Sequence, residues 1–194
     1  MKTLRIVLWV LVGAAAIALA ALLWRQSQAP QASQQQFSLG GPFTLVDGKG
    51  QPFASSRLSG RPYAMFFGFT HCPDVCPNTL GRLVSLRGQL GSDEAFQIVF
   101  VTVDPERDGP EEVGKYADLF NAPIIGLTGS PAQIEQVKKS FGIYSEKAGN
   151  GDDYTVDHTA TVLLFDRAGD FQSTISPEET NEAALAKLRR LTSG

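Results

Sequence analysis

Side chains able to bind a soft metal are scarce in this chain, which has two cysteines, two histidines and two methionines among 194 residues. The one disulfide that two cysteines allow would join Cys72 to Cys76, and a loop that short constrains the unfolded chain little. Reactivity explains the pair better than stapling does. Positive charge is also limited: 17 Lys and Arg stand against 20 Asp and Glu, and two of the cations, Lys2 and Arg5, lie at the extreme N-terminus. The remainder is more acidic still. It lacks the concentrated basic surface that phosphate binding needs, which excludes a nucleic-acid role. There is no internal repeat.

Charge is missing altogether from Ile6 to Trp24. As a helix this span covers about 28 Å, enough to cross a bilayer's hydrocarbon core. Residues 1–24 are therefore predicted to form an N-terminal transmembrane helix, with Lys2 and Arg5 holding the short N-terminus in the cytoplasm. A cleaved signal peptide is the competing reading, because Ala18-Leu19-Ala20 resembles a cleavage site. The apolar run nevertheless continues through Ala21-Leu22-Leu23 to an interfacial Trp24, longer than a usual signal core. No long Arg-rich and Ser-rich presequence precedes it, which fits a bacterial inner membrane, with the functional domain in the periplasm, better than a mitochondrial membrane. Residues 25–36 are rich in Gln, Ser and Ala and read as a flexible linker. Residues 37–194 are long enough for one well-packed core.

Within that domain the apolar run Tyr63 to Phe69 predicts a buried central strand. Leu80, Leu83, Val84, Leu86 and Leu90 then recur at helical spacing, so a helix from about Pro77 to Leu90 follows. Phe43 to Phe53 reads as a short hairpin around Asp47-Gly48-Lys49-Gly50. Phe96 to Val103 has the pattern of a strand buried on both faces, which makes strand, helix and strand a parallel crossover. A helix over Pro110–Phe120, a strand over Pro123–Leu127 and a helix opened by the capping box Ser130-Pro131-Ala132-Gln133 come next. Two short strands, Ile143–Ser145 and Tyr154–Val156, flank a Gly/Asn/Asp-rich turn. Strands Thr161–Phe165 and Phe171–Ile175 precede a last helix announced by Ser176-Pro177-Glu178-Glu179. This order is the layout of an α/β, thioredoxin-like domain, and two cysteines at a strand-to-helix junction reinforce it.

Cys72 and Cys76 lie just before or within the first turn of that helix, where unpaired backbone N–H groups favour thiolate. A separation of four residues puts both sulfurs on one face, in reach of each other or of one soft ion. His158 precedes the strand Thr161–Phe165, and in a thioredoxin-like sheet the loop before that strand faces the cysteine turn. Two thiolates and an imidazole can then converge on one ion. Thiolates suit Cu(I), imidazole tolerates both copper states, and zinc accepts the same donors. His71, next to Cys72 at the end of an extended strand, is expected to point away from that sulfur. Asp74, Asp104 and Asp157 are candidates to orient His158 or adjust the charge of the site, or else are solvated turn formers.

These stretches resemble the Sco (SenC) family of membrane-anchored copper proteins. The resemblance rests on Gly41-Pro42-Phe43, on Phe67-Gly68-Phe69-Thr70-His71-Cys72-Pro73-Asp74-Val75-Cys76-Pro77 and on Val103-Asp104-Pro105-Glu106-Arg107-Asp108. Leu127-Thr128-Gly129 and Tyr154-Thr155-Val156-Asp157-His158 complete it, in order along nearly the whole exported domain. It implies a thioredoxin-like fold, a copper cofactor as Cu(I) or Cu(II), and copper ligands at Cys72, Cys76 and His158. It also implies a metallochaperone role toward the copper site of cytochrome c oxidase subunit II, with a periplasmic copper donor or thiol reductant as a further partner. Some members of the family are instead proposed to be thiol reductants, which would make Cys72 the attacking and Cys76 the resolving thiol of an oxidoreductase. Three residues between the cysteines where thioredoxins have two, Ala160 where thioredoxins have a proline, and His158 itself favour delivery. A thiol peroxidase is a fainter echo, in Phe69-Thr70-His71-Cys72-Pro73. With only Met1 and Met65, the chain has no methionine-rich copper-capture tract.

Overall fold

The computed structural model describes residues 39–149, 151 and 154–193, together with scattered helical positions between Lys2 and Trp24. The chain separates into two compact units, Met1–Phe37 and Ser38–Gly194. The expected anchor over residues 1–24 falls largely, and the expected linker over 25–36 wholly, outside the described residues. Among the described residues no helix is long and apolar enough to cross a membrane.

The second unit is built on β3 (Tyr63–Gly68) and β4 (Gln97–Thr102), every residue of which is buried. They pair in parallel, with Tyr63 opposite Gln97 and Gly68 opposite Thr102. Near-continuous apolar sequence is what a strand covered on both faces requires. Around them a seven-stranded mixed sheet forms from β1 (Thr44–Asp47), β2 (Pro52–Ala54), β5 (Ile124–Thr128), β8 (Val162–Phe165) and β9 (Phe171–Ile175), in the order β2-β1-β5-β4-β3-β8-β9. β5 runs parallel to β4, whereas β1, β2, β8 and β9 are each antiparallel to a neighbour. The helices are α1 (Val75–Gly88), α2 (Pro110–Asp118), α3 (Pro131–Ser140) and α4 (Asn181–Ser193). The α/β thioredoxin-like architecture expected from the element order is the one observed.

Three local expectations are corrected. The helix after the cysteines begins at Val75, two residues before Pro77, so Cys76 lies inside its first turn and Cys72 outside it. The second hairpin strands are β6 (Ser145–Ala148) and β7 (Thr155–His158), shifted from the expected Ile143–Ser145 and Tyr154–Val156. Ile143 is committed elsewhere. Its N–H donates to Lys138 O, and the N–H of Gly142 (φ +63°) donates to Lys139 O, the paired bonds of a left-handed helix cap on α3. The strand starts only once that cap is complete. Finally, α4 starts after Thr180, whose hydroxyl accepts from the Ala183 N–H, while Ser176 and Glu179 bond each other across a turn. The capping box on α3 forms as expected, between Ser130 and Gln133.

Among the described residues β6 and β7 pair only with each other, from Ser145 opposite His158 to Ala148 opposite Thr155. This hairpin is thus a separate two-stranded sheet, and its placement on the body rests on contacts other than strand pairing.

Close backbone approach decides how α2 seats on the sheet. A Cβ added at Gly126 in β5 would lie 2.6 Å from Val113 O in α2. Backbone cannot yield as a flexible side chain can, so Gly126→Ala is expected to lower stability by about 1–3 kcal/mol. Urea denaturation checks this, and an unchanged midpoint would contradict so tight a seat.

Candidate metal centre

The β3-to-α1 junction builds one half of the site. Cys72 N–H donates to Phe69 O at 3.2 Å, closing a turn at the end of the strand. The chain then enters α1, where the N–H of Cys76 has no partner within the helix. Cys72 Sγ accepts that N–H at 3.3 Å, so the first sulfur lies over the helix's first turn. Asp74 precedes the helix but does not cap it, because its carboxylate is taken by the Asn78 side-chain amide. Cys72 is partly exposed, whereas Cys76 is fully buried.

Gly68, the last residue of β3, makes room for that burial. A Cβ there would stand 2.7 Å from Cys76 Sγ and 3.1 Å from the Phe100 ring. The glycine inside an apolar strand run was the available signal of a close approach, and sequence reading passed over it.

The hairpin supplies the other half. His158 does not lie in the loop directly before β8 but ends β7, half-buried. Its ring meets Phe66 and Phe69 edge-on, with centroids 6.0 and 5.8 Å away. Nδ1 lies 3.1 Å from Thr159 O. A carbonyl can only accept, so Nδ1 carries the proton and Nε2 of the neutral ring is left with a free lone pair. That Nε2 stands 3.5 Å from Cys76 Sγ.

The ligand atoms of Cys72, Cys76 and His158 all lie within 4.8 Å of one another. Donors at about 2.0–2.3 Å from a shared ion are about 3.5–4 Å apart, so small shifts would bring these three onto one ion. Two sulfurs and an imidazole form a soft donor set, suited to Cu(I) and acceptable to zinc.

Burial sets the protonation of the site. It pushes the Cys76 thiol well above its ordinary pKa, a backbone hydrogen bond from Phe69 offsets part of this, and the Cys72 sulfur adds to the rise. The helix N-terminus was expected to favour thiolate; for Cys76 desolvation wins. Burial also lowers the pKa of His158, partly opposed by the bond to Thr159 O, which keeps the imidazole neutral and able to bind a metal. Binding of a metal through Cys76 would therefore expel a proton from it.

The remaining candidates are not in the donor set. His71 is exposed, with Nδ1 3.1 Å from Thr70 Oγ1 and 3.6 Å from the buried Asp108 carboxylate. Asp108 instead ties the site's scaffold together, accepting from Thr70 N–H, Thr70 Oγ1 and Thr102 Oγ1 at 2.6–2.8 Å. Asp157 is exposed. Asp104 is buried and bonds Tyr154 and Arg107.

The sequence profile described as SCO1/SenC matches residues 31–193. This chain belongs to the SCO1/SenC family. It is 36% identical over 173 residues to the mitochondrial SCO2 homolog of Mus musculus, covering 86% of this chain and 68% of that protein. Of the yeast and bovine mitochondrial SCO2 proteins it spans 52% and 64% of the length. Among solved structures, Bradyrhizobium japonicum ScoI with copper bound is 40% identical, with a TM-score of 0.72 over 79% of this chain and 99% of that one. Yeast Sco1 with copper bound is 32% identical, with a TM-score of 0.73 over 81% and 90% of the two chains.

The raised Cys76 pKa has a consequence for the metal-free protein. A thiol held more tightly when folded contributes stability fully below its unfolded pKa, about 8.5, and loses that contribution as pH climbs toward the folded value. Between about pH 8 and 10 the urea midpoint of the reduced metal-free protein should fall more steeply for wild type than for Cys76→Ser. Equal slopes would place Cys76 in a solvated setting.

Proposed function

We propose that this chain is a membrane-anchored copper-binding metallochaperone. Cys72, Cys76 and His158 hold one copper ion as cargo and pass it to the copper site of cytochrome c oxidase subunit II. The observation that carries this reading is the convergence of two sulfurs and an unprotonated imidazole nitrogen within 4.8 Å, from segments more than eighty residues apart. The copper-bound relatives support the choice of ion, and sulfur donors favour Cu(I), with imidazole accommodating Cu(II).

The site suits a carrier. Three protein donors leave a coordination position open, through which an incoming ligand of the partner can enter before a donor here departs. Cys72 is the partly exposed sulfur and Cys76 the buried one, so exchange starts at Cys72. Protonation of Cys76 follows release, because burial favours its thiol form. The charge-free span Ile6 to Trp24 anchors the domain at a bacterial inner membrane, with the site in the periplasm. Exposed Trp9, Ile17 and Leu19 in that span are compatible with lipid around them.

The same sulfur pair supports a second reading, favoured by the exposure of Cys72 over a buried partner thiol. As a thiolate, Cys72 attacks a disulfide of subunit II and one partner sulfur leaves as thiol. Cys76 then displaces Cys72's new partner, so the chain ends as a Cys72–Cys76 disulfide and the subunit as two thiols. This chemistry has no use for His158.

Titrating the reduced protein with Cu(I) against a competing chelator separates the two. Wild type should bind about one ion per chain. His158→Ala should weaken binding by on the order of 100-fold, since loss of a supporting outer residue alone typically costs 10–100-fold. Equal affinity would remove His158 from the site. Reduction of a subunit II disulfide by the copper-free protein, unchanged in His158→Ala, would favour the oxidoreductase.

A further inference from the structure

His158 reaches the cysteines from a hairpin that, among the described residues, shares no strand pairing with the main sheet. Sheet register places Cys72 and Cys76 at the end of β3 and, through β8 paired antiparallel to β3, brings the chain at His158, four residues before β8, to the same end, but it does not fix where the imidazole stands. Side-chain ties must do that, and one group of them joins the hairpin to the loop after β4.

Asp104, in that loop, is 1% exposed and its own geometry is pinned. Its N–H donates to Thr102 Oγ1 at 2.9 Å, and Asp104 O accepts from the N–H of Asp108 at 2.9 Å. One carboxylate oxygen accepts from the Tyr154 hydroxyl at 2.7 Å and the other from Arg107 Nε at 2.6 Å. Tyr154 directly precedes β7, four residues before His158. Arg107 completes the grip. It donates to Tyr154 O at 2.9 Å, and its guanidinium carbon lies 3.6 Å from the centroid of the Tyr154 ring. The same guanidinium lies 5.9 Å from the Phe69 ring, which meets the His158 ring at 89° with centroids 5.8 Å apart. Tyr154, Arg107, Phe69 and His158 thus form one chain of ring and guanidinium contacts, with the hairpin at both ends and Phe69, just after β3, between them. Burial and the bond to Asp104 raise the phenol's pKa, so its hydroxyl stays a donor.

We propose that Tyr154 and Asp104 are positioning residues for the third metal ligand, clamping the β6–β7 hairpin so that His158 Nε2 stays over the Cys76 sulfur. The inference rests on the reading of His158 as a ligand. It adds that coordination number is set at a distance: with the clamp closed an ion sees two sulfurs and a nitrogen, and with it open the two sulfurs alone. A partner that pulled on the hairpin would thereby loosen the cargo without touching the cysteines.

Tyr154→Phe tests this with little disturbance, because it keeps the ring on Arg107 and removes only the hydroxyl. In the full chain, Cu(I) affinity should fall about tenfold, the effect of losing one hydrogen bond to a charged acceptor, with the stoichiometry still one. Amide exchange in β7 should quicken while that of β8 stays unchanged. Asp104→Asn, which can still accept from the phenol, should recover part of the affinity lost in Asp104→Ala. In the His158→Ala background, Tyr154→Phe should cause no further loss, since it acts only through the ring already removed. Additive losses, or Tyr154→Phe with wild-type affinity and wild-type exchange in β7, would overturn the clamp. Quickened exchange in β7 alongside wild-type protein that binds no copper would uphold the clamp and sink the copper reading instead.

Discussion

One short approach governs the chemistry open to this chain: the 3.5 Å between His158 Nε2 and Cys76 Sγ. Without it the molecule is a dithiol protein whose second sulfur is buried and reluctant to ionise. With it, three soft donors face one point. Each side of the approach has its own cause. On the sulfur side, the absence of a Cβ at Gly68 lets Cys76 lie against β3, where its side chain is fully buried. On the nitrogen side, a backbone carbonyl selects the tautomer, so the lone pair that meets the sulfur is the one a metal would use.

The site also shows two electrostatic influences opposing each other at one residue. A helix's first turn favours anions through its unpaired N–H groups, and Cys72 uses one of them, the N–H of Cys76. Cys76 itself sits deeper, and desolvation outweighs the turn's field. The arrangement divides labour between the sulfurs. On the carrier reading the partly exposed one would meet the partner, and the buried one, whose burial favours the thiol, would take up a proton when an ion left. In a carrier this helps release as much as it opposes capture, which fits cargo that is to be handed on.

Much of the domain was legible before any coordinates. Apolar runs without polar interruption placed β3 and β4 and their parallel pairing, because only a strand covered on both faces tolerates such sequence. The Ser130–Gln133 capping box was readable because its bonds are local. The errors also have local causes. Ile143 looked like strand, being β-branched, until a helix cap claimed its N–H. Ser176-Pro177-Glu178-Glu179 had the grammar of a helix start, yet Glu179 turned to Ser176 and Lys187, and Thr180 became the cap. In both places short-range patterns allowed two hydrogen-bond arrangements and the longer-range packing chose.

The donor types, their spacing across the β3–α1 junction and their family resemblance were all written in the residues, since thiol and imidazole chemistry travels with the side chain. What sequence could not supply was the position of the hairpin. Among the described residues its strands pair only with each other, so sheet register brings His158 no closer than the four residues that separate it from β8, and the final distance to the cysteines is decided by burial and by side-chain ties from Asp104 and Arg107 across roughly fifty residues of chain. Whether Cys76 holds its proton was likewise out of reach, because desolvation belongs to the packed interior and has no counterpart in the order of residues.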